Sequence, residues 1–128
     1  MILDTSAIVA ILFQEPGFEI LLDKLGAAPG AAVGVPTLTE ASIVISARLR
    51  RDARAVLSRF LMEGSIAAVP FGEEHYGTAV DAWLRYGKGR QRATLNFGDC
   101  MAYAVAKVAG QPLLCTGNDF VLTDLELA

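Results

Sequence analysis

The chain has 128 residues, 53% of them hydrophobic, with a formal net charge of −3 and a mean hydropathy of +0.42. That length suits one domain able to bury roughly two-thirds of the surface its unfolded chain exposes, with no need of disulfide staples. No apolar run approaches the roughly 20 residues of a membrane span, and MILDTSAIVAILF lacks the basic start and cleavage site of a secretory leader, so no membrane role and a cytoplasmic location are expected.

Short apolar runs alternating with longer segments of helical period predict an α/β fold of βα units around a short, mostly parallel sheet of four to five strands flanked by helices. Met1–Asp4 reads as the first strand, followed by a helix from Thr5 to Phe13. After Pro16, the spacing of Phe18, Leu21, Leu22 and Leu25 predicts an amphipathic helix ended by Gly26. Ala31–Val35 is the second strand. Pro36 then opens a helix carried by Leu38, Ala41, Ile45 and Leu49, with Ile43, Val44 and Ala47 off that stripe and in need of a second apolar partner. Ala53, Val56, Leu57, Phe60 and Leu61 repeat the pattern up to Gly64, and Ser65–Val69 is the third strand. Tyr76, Ala79, Val80, Trp83 and Leu84 then share a helical stripe, with His75 expected on an exposed helical start. A helix opened by Asp99 and closed by Gly110 leads to the fourth strand, Pro112–Cys115, after which the last residues can supply only a rudimentary fifth. No repeat or linker interrupts residues 1–128, and Cys100 and Cys115, each inside an apolar stretch, are expected as buried free thiols.

The small negative charge hides an uneven distribution. Ten of the 11 Lys and Arg residues lie between Arg48 and Lys107, five in RLRRDARAVLSR and four in RYGKGRQR. Gly87 and Gly89 break any helix through the second cluster and leave a flexible basic loop just ahead of LNFGDCMAYAVA.

Four acids occupy equivalent places. Asp4 stands where the first strand gives way to its helix, Glu40 near the start of the third helix, Asp99 at the mouth of an Ala-rich helix, and Asp119 just after the fourth strand. Taken singly, these are ordinary cap and turn residues. In open parallel sheets, however, ligands bind beyond the carboxyl ends of the strands, and four acids meeting there would repel one another unless a cation neutralised them. Oxygen-only donors favour a hard divalent ion, Mg²⁺ or Mn²⁺, over zinc. Other phosphate and acyl chemistries lack their residues: there is one histidine, no GxxxxGK[ST] loop and no GxSxG elbow.

MILDTSA, the TEAS around Glu40, the RATLNFGDCMAYAVA block and the late TGNDF together resemble the PIN-domain ribonucleases, in particular the VapC-type toxins of bacterial toxin–antitoxin pairs. The resemblance implies a PIN-like three-layer sandwich in which Asp4, Glu40, Asp99 and Asp119 bind Mg²⁺ or Mn²⁺ and hydrolyse RNA. It makes Thr5, Ser6, Thr116 and Asn118 polar neighbours of that cluster. Asn96, just ahead of Asp99, is expected at the same site, and Lys88, Arg90 and Arg92, which follow a glycine-broken helix and lead directly into the Asp99 helix, are expected to contact the RNA backbone. It further implies a VapB-like antitoxin partner, a homodimer and a toxin–antitoxin hetero-oligomer, with transfer or ribosomal RNA as substrate. Two alternatives stay open: a PIN-like module that only binds RNA or a partner, and a phospho-acceptor receiver domain. For the latter, the paired acids after the first strand and the C-terminal Lys are missing here.

Overall fold

A computed structural model describes residues 1–87, 89 and 94–128. Among these, four short strands, β1 (Ile2–Leu3), β2 (Ala31–Gly34), β3 (Ile66–Val69) and β4 (Leu113–Leu114), form a sheet of order β3-β2-β1-β4 with every pair parallel. The chain winds outward from β1 through β2 to β3 and then returns to the other side of β1. That reversal makes the carboxyl ends of β1 and β4 the topological switch point, where a crevice opens in sheets of this kind. The register there pairs Ile2 with Leu113 and Leu3 with Leu114, and the Asp4 N–H donates to the Leu114 carbonyl at 2.9 Å. Leu113 also bridges Leu127 in parallel, which is the whole of the rudimentary fifth strand.

Among the described residues six helices cover the sheet: α1 (Thr5–Leu12), α2 (Phe18–Ala27), α3 (Val35–Leu49), α4 (Arg54–Glu63), α5 (Glu73–Tyr86) and α6 (Phe97–Ala109). Side chains alternate across the pleat. Ile2, Ala32 and Leu113 pack with residues of α5 and α6, whereas Leu3, Val33 and Leu114 pack with residues of α1 to α4. This gives the expected three-layer α/β sandwich, with strands apolar on both faces as a doubly covered parallel sheet requires. No helix of the described residues is long and apolar enough to cross a membrane.

Several boundaries differ from the sequence expectation. Gly26 lies inside α2, which runs one residue further before Ala28 caps it, and α6 starts at Phe97 with Asn96 as its cap, so Asp99 is its third residue. Gly110 does close α6, in the left-handed conformation (φ 62°). The larger difference is the rotation of α5. Tyr76, Val80, Trp83 and Leu84 are exposed, Tyr76 at 69%, while His75, Ala79, Ala82 and Tyr86 are buried. Small residues on α5 and on Ala-rich α6 let the two helices lie close, with Tyr86 buried against Tyr103 at the end of α5 and Tyr76, Val80, Trp83 and Leu84 left on the outer face. His75, expected at the surface, is only 6% exposed: its Nδ1 accepts the Gly72 N–H at 2.9 Å and its ring stacks on Phe71. Cys100 is buried and Cys115 half-buried, both as free thiols.

Helix α6 lies close against the sheet at Gly34. A Cβ there would lie 2.6 Å from Cγ2 of Val105, a buried β-branched side chain with little rotamer freedom in a helix. Gly34→Ala should therefore lower unfolding free energy by about 1–3 kcal/mol. Most of that loss should be recovered when Val105→Ala is added, as measured by denaturant titration.

Candidate active site

The end of β1 is built by a short hydrogen-bond chain. Asp4 caps α1 in an extended conformation, its Oδ2 accepting the Ser6 N–H at 3.1 Å and the Ser6 hydroxyl at 2.6 Å. Ser6 Oγ in turn accepts the Thr116 N–H at 3.0 Å, which ties the loop after β4 to the first turn of α1. Ser6 thus aims its proton at Asp4 because the other side of its oxygen is taken by Thr116. The loop continues through Thr116, Asn118 and Asp119, all exposed, and is anchored by Phe120, which is 2% exposed in the core beside α6.

Asp99 arrives on the other side of the crevice from the first turn of α6. A reciprocal cap fixes it: its N–H donates to Asn96 Oδ1 at 2.9 Å and its Oδ2 accepts the Asn96 N–H at 3.0 Å. Asn96 therefore has a defined task as the cap that orients Asp99. Glu40 reaches in from the second turn of α3, with Oε1 accepting the Thr5 hydroxyl and the carboxylate lying directly against Gly98 of α6. Sequence reasoning did not single out Gly98. Its one available signal was a glycine at a helical position that alanine would suit better.

The charges show that these groups share one space. Asp4 is 5% and Asp99 9% exposed. The Asp99 carboxyl is pushed up to about 6, mainly by burial, opposed by its Asn96 hydrogen bond and further raised by the negative charges of Asp4, Asp119 and Glu40. Asp4 is also raised, by burial first and then by Glu40, although its Ser6 hydrogen bonds pull the other way. Cys115 is pushed up to about 11 by burial and by the charges of Asp4 and Asp119. Asp4, Glu40 and Asp119, far apart in sequence, thus all lie within electrostatic reach of Asp99. Lys88, Arg90 and Arg92 lie outside the described residues.

Among the described residues no group of three or more His, Cys, Asp or Glu side chains is arranged to hold a metal ion directly. The donor chemistry nevertheless fits one kind of ion. Mg²⁺ and Mn²⁺ take oxygen donors, and Mg²⁺ keeps several of its waters and is bound through one or two carboxylates. Asp4 and Asp99, buried and repelling each other, could supply those two, with Glu40 and Asp119 reaching the ion through water. Thr37 Oγ1, buried in α3 close to Thr5, has no hydrogen-bond partner among the described residues, which adds unmet polar demand near Glu40.

A parallel sheet of this order, with acids gathered at the carboxyl ends of its strands, matches the PIN domain, and the family model of that description matches residues 1–124. The chain is 46% identical over 127 residues to Ribonuclease VapC36 of Mycobacterium tuberculosis, a match covering 98% of this chain and 91% of that relative. VapC20 of Mycobacterium tuberculosis, a solved structure described as a sarcin-ricin loop cleaving toxin, has the same fold. Its TM-score is 0.77 at 15% identity, over 99% of this chain and 97% of that one. A toxin–antitoxin complex from Klebsiella pneumoniae matches with a TM-score of 0.72 at 18% identity, over 99% of this chain and 95% of that one. The chain belongs to the PIN-domain family, and within it to the VapC type.

An acid raised above its ordinary 3.8 binds more protons in the native state than in the unfolded state, so unfolding free energy falls as pH rises from that value through about 6. The cost is complete above that window. In chelator at pH 7.5, Asp99→Asn should therefore be more stable than the wild type by about 1–3 kcal/mol. The gap should close near pH 4 and narrow when Mn²⁺ is added. Denaturant titrations across pH check all three.

Proposed function

We propose that the chain is a Mg²⁺- or Mn²⁺-dependent endoribonuclease, the toxin of a toxin–antitoxin pair, acting in the cytoplasm on structured RNA such as transfer or ribosomal RNA. The observation that carries this reading is the convergence on Asp99 of negative charge from Asp4, Glu40 and Asp119, on other elements of the chain. The ribonuclease name of the 46% identical relative supports it.

Asp4 and Asp99 would hold the ion, and a divalent ion bound there supplies charge neutralisation for a phosphodiester and a water of lowered pKa. The chain's own residues do the rest. Ser6 and Asn96 lock the two buried carboxylates by hydrogen bonds to one oxygen of each. Thr5 occupies one oxygen of Glu40, so the other is left to accept a hydrogen bond from a water. Asp119 stands exposed on the loop after β4, where it adds its charge to the field at Asp99. His75, the only histidine, is buried and committed to the Gly72 N–H, so no imidazole pair is present for attack by a ribose 2′-hydroxyl. Attack by water leaves a 5′-phosphate and a 3′-hydroxyl.

Lys88, Arg90 and Arg92, leading in sequence toward α6, are proposed to meet the RNA backbone. Single-stranded loops of a structured RNA are the easiest segments to present to a crevice of this kind.

Two apolar surfaces suit the proposed partners. A groove between α3 and α4, lined by Val35, Leu38, Ile43, Leu57 and Leu61, fits an amphipathic segment of a VapB-like antitoxin, and Ile43 stands 65% exposed on it. An antitoxin Arg reaching from such a segment could pair with the acidic cluster and compete with the ion. The groove between α5 and α6, lined by Tyr76, Val80, Trp83, Phe97 and Met101, fits a second copy of the chain, giving a homodimer within a hetero-oligomer.

Labelled RNA incubated with the purified chain and Mn²⁺ should be cut to 5′-phosphate products, with no cutting in chelator and none by Asp99→Asn. In the same system, Ala at the three basic positions should flatten the salt dependence of binding. Cyclic 2′,3′-phosphate ends, or cutting that survives chelator, would refute the mechanism. Ile43→Lys, at an exposed position, should leave the melting temperature unchanged while abolishing co-purification with the antitoxin encoded alongside.

A further inference from the structure

Gly98 has no backbone reason to be glycine. It is the second residue of α6, outside the left-handed region, and half-buried. Alanine is favoured over glycine by up to about 1 kcal/mol in a helix interior. What the missing Cβ spares is a side chain from another element. The nearest heavy atoms to a Cβ built at Gly98 all belong to the Glu40 carboxyl group: Oε2, then Cδ at 2.7 Å and Oε1 at 2.9 Å. By contrast, a Cβ at Gly34 meets a core side chain, and one at Gly87 meets the backbone and ring of Trp83. The Glu40 carboxylate therefore stands in a slot with the Thr5 hydroxyl as one wall and the bare backbone of Gly98, next to Asp99, as the other.

We propose that Gly98 is a positioning residue for Glu40: by lacking a side chain, it admits this carboxylate to the acidic cluster beside Asp99. The role rests on the nuclease reading above. A carboxylate at the end of a flexible side chain yields more readily than a helix does, so a methyl group at Gly98 turns Glu40 out of the crevice and leaves α6 in place. Outer-shell changes of this kind cost about 10- to 100-fold in metal affinity.

The test uses the full-length chain as wild type, Gly98→Ala, Glu40→Ala and the double variant. Three readouts apply: thermal melting, calorimetric titration with Mn²⁺ alone, and the ¹³C resonance of the Glu40 side-chain carboxyl without metal. Gly98→Ala should melt at or above the wild-type temperature, shift the Glu40 resonance and weaken Mn²⁺ binding about 10- to 100-fold. In the double variant it should weaken Mn²⁺ binding no further than Glu40→Ala does alone, because both changes remove the same group. If the wild type cuts RNA and binds Mn²⁺ but Gly98→Ala binds Mn²⁺ equally well, or adds a full loss to Glu40→Ala, the positioning role is wrong and the nuclease reading stands. A Gly98→Ala chain that melts far below wild type overturns the role in favour of plain packing. If the wild type neither binds Mn²⁺ nor cuts RNA, the nuclease reading itself falls and takes the role with it.

Discussion

The pairing of β1 with β4 is the constraint on which the rest of the molecule depends. Two strands of two residues each are joined by hydrogen bonds from Ile2 to Pro112 and from Asp4 to Leu114, both 2.9 Å, across more than a hundred residues of chain. The second of these uses the backbone of Asp4 itself. The residue whose carboxylate enters the crevice is thus also the residue whose N–H extends the ladder, and the loop carrying Thr116 to Asp119 has to emerge beside it. Ser6 then closes the arrangement with one oxygen between Asp4 and the Thr116 N–H. A one-residue slip of β4 would exchange the faces to which Leu113 and Leu114 point and bury the wrong set in each layer. The hydrophobic layers therefore enforce the register, and the register delivers the acids.

The crevice is formed at the expense of stability. Asp4 and Asp99 are taken out of water with like charges nearby, and each is held away from its ordinary ionisation. Local hydrogen bonds from Ser6 and Asn96 offset part of this but not all of it, since both carboxyls remain raised. At this site local preference and global fold conflict, as they do at functional sites. Cooperative packing of the Ala-rich α6 against the sheet, close enough for Val105 to touch Gly34, holds the conflict in place. By contrast Asp124, bonded to Lys107 and Tyr103, is lowered to about 2. The contrast between Asp124 and Asp99 within one small domain separates an acid that serves structure from one left in want of a counter-charge.

The high apolar content also has a physical outlet. Large side chains that helical spacing placed on one stripe, Tyr76, Val80, Trp83 and Leu84, stand on the outer face of α5, and Phe97 joins them at 79% exposure. Helix α3 is apolar on two sides, as its sequence indicated, with Ala41 and Ile45 in the core and Ile43 outside. Helical period records how apolar a stripe is, and two apolar stripes on one helix compete for the same core. On α5 the middle of the buried face went to Ala79 and Ala82, because a narrow helix–helix gap rewards small residues, while His75 and Tyr86 are buried nearer its ends.

The sequence by itself determined the alternation of strands and helices, the order of the elements, the placement of four acids at strand ends and helix starts, and a block around LNFGDC specific enough to indicate the PIN fold. These are legible because they depend on local chemistry: period, caps, turn residues and short motifs. Even so, Asp99 was read as opening its helix when it is the third residue, and His75 was read as exposed when it is a buried cap partner of Gly72. Only the tertiary structure decided which face of α5 is buried, that Ser6 is oriented by Thr116, and that Glu40 meets Thr5 on one side and Gly98 on the other. Each of these is a contact between residues distant in the chain, and its geometry is set by how whole layers pack. A sequence records which groups are available to meet; the register of the sheet and the spacing of helices against it select the pairs that do.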